Sequence, residues 1–293
     1  MWMLLVLSYG IIKGIREICK KKALDKYSVI EVLTVYTVLS TLLLLPTIPD
    51  VGGLGTNQYL GIAFKSFVLF IGWIMGFKAI KHLPISMYGV LDLSRVLFAT
   101  FLAITVLHEE PTVTKTLGTV FVCAGLLFLK FNPSAIKDSA ARTNTLTDIS
   151  IAKGSTAWYV ALALISCVLN AVSGLLDKIL MGTMTSTQLQ FWYTLFLSIY
   201  YCLYVLITRT RISKAVWKNG WVWLLAILLL VMDKALFIAN ADPDSQVTIM
   251  TLIKQSGVIV TILAGKLIFK EKDIIHKLIC AAIIIVGIIL GVL

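Results

Sequence analysis

The sequence has few of the residues that a soluble enzyme uses at its surface and active site. Only 14% of the residues are charged and 59% are hydrophobic, and the mean hydropathy is +0.93. A soluble domain of this composition would expose too much apolar surface, so a soluble globular fold is excluded. The three histidines, His82, His108 and His276, lie far apart at predicted loops. Because no nucleophile, metal set or acid–base pair converges with them, the sequence does not indicate an enzyme.

Cysteine is also scarce, and its placement excludes two further classes. The five cysteines lie scattered through apolar stretches without paired spacing, so neither a disulfide framework nor a zinc site is predicted. We predict no metal and no cofactor. The first apolar run has no basic region before it and no small-residue cleavage site after it. We therefore expect it to stay as a helix and not to be removed as a signal peptide.

What the sequence does contain is a series of long apolar runs. Each is about 17–25 residues long, which is the length that a helix needs to cross a bilayer. Barrel strands would alternate in polarity and be about half as long, so the runs indicate helices. The ten predicted runs are 1–19, 29–48, 59–79, 86–107, 114–130, 156–180, 187–208, 219–239, 245–268 and 274–293.

The two halves of the sequence repeat one another. Leu107–Gly125 aligns with Phe269–Gly287 at a spacing of 162 residues, and Ile11–Ser40 aligns with Val168–Leu197 at a spacing of 157. Because an odd number of runs separates the copies, one half is inverted relative to the other. Inverted repeats are typical of secondary transporters whose site lies near the membrane midplane.

These patterns together predict the fold class. We expect an all-α integral membrane protein whose ten transmembrane helices form two inverted five-helix repeats. The first repeat covers residues 1–130, a polar cytoplasmic linker covers 131–155, and the second repeat covers 156–293.

The positive charge predicts the orientation. The net charge is +11, and the basic residues lie mainly in loops after odd-numbered runs, such as Lys20-Lys21-Lys22 and Arg209 to Lys218. By the positive-inside rule these loops are cytoplasmic, so both termini face away from the cytoplasm. This placement explains the charge, and we predict no nucleic-acid partner. The compact chain favours the inner or plasma membrane of a cell as its location.

Charged residues inside the runs indicate a polar cavity. A charge at membrane depth costs about 2.5–3.5 kcal/mol on insertion scales, so each needs a reason. Runs 1, 3, 4, 6, 8 and 9 contain such residues, whereas runs 2, 5, 7 and 10 have none between their ends. We predict that the six polar helices enclose a wet cavity and that helices 5 and 10 offer a face for a homodimer. Lys65 and Asp177 lie in the end thirds of their runs, where we expect them to snorkel or mark interfaces.

Depth along the helices selects the candidate site. At about 1.5 Å of rise per residue, Arg95 and Lys254 lie near the midplane, and Lys13 lies nearer the cytoplasm. Asp92 shares a helix face with Arg95 and aligns with Lys254 in the repeat, so it has two alternative partners. Glu17 is a partner for Lys13, and a purely structural role is the alternative for each such pair. The candidate substrate-binding residues are Lys254, Arg95, Lys13, Gln255, Asn170, Trp73 and Tyr88. The candidate coupling or charge-pair residues are Asp92, Asp233 and Lys234.

The chain resembles the drug/metabolite transporter superfamily, in particular its EamA-like family, over nearly its whole length. The local signature is a glutamate after the fourth and the ninth helix, with a small residue nine positions later. Here it reads His108-Glu109-Glu110-Pro111 up to Gly118, and Lys270-Glu271-Lys272-Asp273 up to Cys280. Cys280 stands where the family usually has glycine. The resemblance implies a transporter with a cavity lined by helices 1, 3, 4, 6, 8 and 9.

The resemblance also bears on one residue and on the orientation. In related nucleotide-sugar and sugar-phosphate carriers, a basic residue on helix 9 contacts phosphate, and Lys254 is similar in place. The surrounding motif does not match. Many relatives are placed with cytoplasmic termini, whereas the loop charges here predict the reverse.

The leading hypothesis is secondary active transport of a small anionic or zwitterionic metabolite by alternating access. The candidates are an amino acid, an organic acid or a phosphorylated compound. Lys254 and Arg95 would bind the anionic group, and Asp92 or Asp233 would carry a proton or receive an ammonium group. An exporter of drugs or amphiphiles and a flippase for a lipid-linked head group are the alternatives. The net basic midplane fits poorly with export of hydrophobic cations.

Overall fold

A computed structural model describes residues 2–110, 112–130, 146–270 and 274–292, which are mostly helical and contain no β-strand. Besides ten long helices, these residues form a 3₁₀ turn, Leu45–Asp50, and a four-residue helix, Lys214–Trp217. Two helices are interrupted. The helices are α1 (Trp2–Leu24), α2 (Val29–Leu44), α3 (Thr56–His82), α4 (Ile85–Asp92 and Arg95–Val106), α5 (Val113–Lys130), α6 (Leu146–Met181), α7 (Ser186–Thr208), α8 (Gly220–Ala241), α9 (Val247–Ile253 and Gly257–Leu267) and α10 (Ile274–Val292).

Seven helices in the described part of the chain are long and apolar enough to cross a membrane, by length and composition. They are α2 with its 3₁₀ extension, α3, α4, α6 over Thr156–Met181, α7, α8 and α9. This supports the predicted all-α membrane class. The count of ten spans stays a prediction, because the apolar stretch of α10, Ile275–Gly287, is shorter and α1 and α5 are not among the seven.

The predicted linker is described only in part. Residues 131–145 lie outside the described residues, and α6 begins at Leu146, inside the range that the sequence assigned to the linker. The helix therefore extends further toward the N-terminus than the apolar run that predicted it.

Two helix starts carry the same cap at the spacing of the sequence repeat. The Ser28 hydroxyl accepts a hydrogen bond from the Glu31 amide at 3.3 Å, and the Glu31 carboxylate accepts one from the Ser28 amide at 2.9 Å. Thr185 and Gln188 make the same reciprocal pair at 3.2 and 2.8 Å. Each pair satisfies two amide groups that a helix start leaves without an internal partner. The caps of α2 and α7 lie 157 residues apart.

The interruptions of α4 and α9 also lie at equivalent positions. In α4 the amides of Leu93 and Ser94 bond to carbonyls three residues earlier, at 3.1 and 3.0 Å. In α9 the residues Lys254–Ser256 form a 3₁₀ turn. The two breaks lie 162 residues apart. Tighter turns inside a long helix often mark a hinge. Here Asp92 and Arg95 flank the break of α4, and Lys254 lies within the break of α9.

The halves pack against each other reciprocally. Helix α1 lies along α8 and α3 lies along α6, α1 crosses the break of α9, and α6 packs on α4. Helices α2 and α7 pack together, as do α5 and α10. The hydroxyl groups of Thr41 and Ser198, which are equivalent in the repeat, share a hydrogen bond of 2.8 Å. Equivalent residues that touch are what a twofold axis between two halves requires.

The backbone of α1 packs directly against the backbone at the break of α9. Addition of a single methyl group there tests this contact. A Cβ at Gly257 would meet the Gly10 carbonyl oxygen and the Gly14 amide nitrogen. We expect Gly257→Ala to lower the free energy of unfolding by about 1–3 kcal/mol, because backbone atoms cannot move aside as a side chain does. Thermal unfolding of the purified protein measures this.

Gly174→Ala is the matched control, since a Cβ at this helical glycine meets nothing within 4 Å. It should be neutral or stabilising by up to about 1 kcal/mol, through helix propensity. Equal melting temperatures for the two variants would contradict the close approach of α1 to α9.

Candidate functional site

A polar cavity lies at the centre of the bundle. Its walls come from α1, α3, α4, α6, α8 and α9, as the distribution of charged residues predicted, with Tyr193 of α7 added. The space open to the centres of water molecules is about 80 Å³. At roughly 10–15 Å³ per water, this holds about six waters, or one compact metabolite.

The first ionic cluster of the cavity joins α1 to the break in α4. Lys13 Nζ forms an ion pair with Asp92 Oδ2, and Arg95 Nη2 donates to Asp92 Oδ1 at 2.8 Å. The predicted Asp92–Arg95 pair is therefore confirmed. Gln255, on the break of α9, accepts a hydrogen bond from Lys13 Nζ at 3.4 Å. The side chains of Lys13 and Arg95 line the cavity, and Asp92 is buried behind them.

Two of the pairings considered from the sequence are wrong. Lys13 pairs with Asp92 and not with Glu17, whose Oε1 instead lies 2.6 Å from Lys20 Nζ. Asp92 does not pair with Lys254, because each of its carboxylate oxygens already binds a cation of α1 or α4.

The expectation that Lys65 and Asp177 reach the bilayer surface is also wrong. Lys65 Nζ lies 2.8 Å from Asp177 Oδ1, and the lysine is only 1% exposed. The ammonium group also lies 3.9 Å from the centroid of the Tyr193 ring, where a cation–π contact compensates part of its desolvation. Because α3 and α6 pack along each other, both side chains turn inward and line the cavity.

Arg16 is a cavity residue that the sequence analysis did not select. Its guanidinium lies 5.0 Å from the Trp73 ring centroid and 5.6 Å from that of Tyr36, and it donates to the Tyr36 hydroxyl at 2.6 Å. No carboxylate of the described residues forms an ion pair with it. Its spacing of three residues from Lys13 on α1 was the signal that could have found it.

Lys254 and Asp233 are the two cavity charges with the fewest partners. The Lys254 amine lies 5.6 Å from the Tyr9 ring centroid and makes no hydrogen bond or ion pair with the described residues, although the residue is only 8% exposed. Asp233 is equally buried and accepts a hydrogen bond from the Tyr193 hydroxyl, but it forms no ion pair with any described residue. Both face the cavity.

The other predicted site residues divide into two groups. Asn170, Trp73 and Tyr88 line the cavity, and Asn170 Nδ2 donates to the Ser166 carbonyl at 2.7 Å. Lys234 lies apart from the cavity and donates to the Thr187 hydroxyl at 2.7 Å, at the far side of α8. Asp92 and Gln255 support the cavity from behind its lining.

The repeated glutamate has a defined contact in the first half. Glu109 accepts from the Val247 amide at 2.8 Å and from the Thr248 hydroxyl at 2.6 Å. A carboxylate at a helix start is favourable because it satisfies free amides and opposes the helix dipole. Glu109 thus ties the loop after α4 to the first turn of α9. Its counterpart Glu271 lies outside the described residues.

Comparison with known proteins agrees with this architecture. A crystal structure of a protein is similar over 98% of both chains, with a TM-score of 0.66 and 13% sequence identity, which supports the fold through both halves. No curated protein matches the sequence. Residues 1–131 match the EamA-like transporter family, which is consistent with the drug/metabolite transporter superfamily. The match covers the first half of the chain, and together with the apolar helices it supports a multi-pass membrane protein.

Proposed function

We propose that this protein is a secondary active transporter of a small anionic or zwitterionic metabolite: an amino acid, an organic acid or a phosphorylated compound. The observation that carries the proposal is Lys254, a buried cavity lysine with no ionic partner among the described residues. A buried charge at this depth costs free energy that side-chain packing does not compensate. An anionic ligand that pairs with the lysine is the simplest explanation for its presence.

The substrate would bind between the two breaks. Lys254 lies in the break of α9, Arg95 directly follows the break of α4, and both face the cavity. An anionic group between them would contact both halves. Asn170 supplies a neutral hydrogen-bonding group, and the rings of Trp73 and Tyr88 supply walls. The breaks would act as hinges that let one side of the cavity close while the other opens.

We also propose the ten-span arrangement of two inverted repeats, with both termini outside the cytoplasm. The matching caps of α2 and α7, the matching breaks of α4 and α9, and the Thr41–Ser198 contact support the repeat, and the basic loops support the orientation. Alternating access in such proteins is largely a rocking of one repeat against the other around a fixed site.

The size of the cavity favours a small substrate over the alternatives. A space for about six waters is too small for a drug-sized amphiphile or a lipid-linked head group in this conformation. The walls also carry more basic than acidic side chains, which disfavours hydrophobic cations.

Asp233 is the better candidate for a proton carrier. Asp92 is held by two cations, so its protonation would leave both without a carboxylate, whereas Asp233 is bonded only to the Tyr193 hydroxyl among the described residues. We expect Asp233→Asn to abolish uptake driven by a pH gradient while substrate exchange across the membrane continues. Unchanged gradient-driven uptake in this variant would show that the proton, if one is used, travels elsewhere.

The test of the proposed function is solute flux in proteoliposomes. The reconstituted protein should exchange radiolabelled small anions or zwitterions saturably, above the rate of protein-free vesicles. Lys254→Met should lose this exchange. Lys266→Met is its matched control, because Lys266 is an exposed lysine on the same helix. Absence of flux for amino acids, organic acids and phosphate esters alike would contradict the proposal.

A further inference from the structure

The buried charges of the cavity do not balance. The ionic groups that line it or contact its lining include six basic side chains and four acidic ones, an excess of two positive charges. The basic residues are Lys13, Arg16, Lys20, Lys65, Arg95 and Lys254, and the acidic residues are Glu17, Asp92, Asp177 and Asp233. Transfer of a proton from Lys254 to Asp233 would leave the excess unchanged.

The ion pairs show which side chains carry the excess positive charge. Lys20 pairs with Glu17 and Lys65 with Asp177, and these two pairs are neutral. Asp92 is shared by Lys13 and Arg95, which leaves one positive charge over. Arg16 and Lys254 add two more, and Asp233 subtracts one.

The aromatic contacts agree with a cavity whose excess cations can bind an anionic ligand. Arg16 stacks near Trp73 and Tyr36, and Lys254 lies beside Tyr9, so ring faces stand where carboxylates would otherwise be expected. A ring face compensates only part of the desolvation of a buried cation, and an anionic ligand would supply the rest.

We infer that the substrate is a compact dianion, a molecule with two negative charges such as a short dicarboxylate or a phosphate monoester. This inference rests on the proposed transport function of the same cavity and narrows its substrate class. Two charges would neutralise the cavity, and the space of about 80 Å³ limits the ligand to a small skeleton. A monoanion or a zwitterion of the same skeleton leaves one or both positive charges uncompensated.

Isosteric ligand pairs that differ by one charge test the inference in the intact protein. Succinate is compared with succinamate, and glycerol 3-phosphate with glycerol 3-sulfate, which has the same shape and one negative charge fewer, as inhibitors of exchange in proteoliposomes at neutral pH. We expect the dianion to bind at least tenfold more tightly in at least one pair, and the pair that responds identifies the source of the charge. Lys254→Met should reduce that ratio to below threefold, and Lys266→Met should leave it unchanged.

The outcomes separate the inference from the function on which it rests. If the unmodified protein exchanged monoanions or zwitterions as well as it exchanges dianions, the inference of a dianionic substrate would be overturned. The proposed transport function would not be. No exchange of any probe would overturn both. Because the ratio is measured in the unmodified protein first, the decision does not depend on whether the variant folds.

Discussion

Replacement of Asp92 by asparagine is expected to lower the free energy of unfolding by about 3–5 kcal/mol. Lys13 and Arg95 share this carboxylate, and the aspartate is only 5% exposed. Its neutralisation leaves two cations side by side in a buried site, which costs more than the loss of either bond alone. Thermal or denaturant unfolding in detergent measures the effect, and a folded variant should also bind anions differently.

A second substitution tests whether the loss comes from unpaired charge. Lys13→Met in the Asp92→Asn background removes one of the two stranded cations, so the double variant should recover part of the lost stability. Asp244→Asn, at an exposed carboxylate in the loop before α9, should change stability by less than about 0.5 kcal/mol. If Asp92→Asn unfolded like the unmodified protein, the shared ion pair would be contradicted.

The class of the protein and the helices around its cavity could be predicted from the sequence. Hydrophobic runs of bilayer length follow directly from the cost of exposing backbone groups to lipid. Embedded charges identified the six helices that line the cavity, because a charge in a span must face something polar. The match of residues 1–131 to the EamA-like family confirmed the resemblance carried by Glu109.

The partners of the individual charges could not be predicted in the same way. Lys65 and Asp177 were placed by counting residues from the ends of apolar runs, which assumes that each helix starts where its run starts. Helix α3 begins at Thr56 and α6 ends at Met181, and packing between these two helices decided where the side chains point. A count along one helix holds no information about the neighbouring helix.

Two cavity residues were missed for different reasons. Tyr193 belongs to an apolar helix without embedded charge, so a search by charge passed over it, although its hydroxyl bonds Asp233. Arg16 was not selected, because its main contacts are ring faces contributed by α2 and α3. Neither contact leaves a spacing in the sequence, although the position of Arg16 three residues after Lys13 on α1 could have identified it as a cavity residue.

Lys254→Met is expected to abolish most transport without loss of stability. Methionine fills a similar volume without charge, and the amine has no hydrogen bond or ion pair with the described residues to lose. The free energy of unfolding should therefore be unchanged or higher. Loss of a buried charge-assisted contact to the substrate costs about 2–4 kcal/mol, which corresponds to roughly a 30- to 1,000-fold lower transport efficiency.

Loss of transport without loss of stability distinguishes a lysine that binds substrate from one that holds the fold together. Flux per reconstituted molecule and thermal unfolding are measured on the same preparation, with Lys254→Arg to restore the charge and Lys266→Met as the exposed control on the same helix. Partial rescue by arginine is expected, because guanidinium keeps the charge but not the compact shape of the ammonium group. A variant that transports normally would remove Lys254 from the site. A variant that loses stability together with activity would instead assign it a role in holding the cavity together.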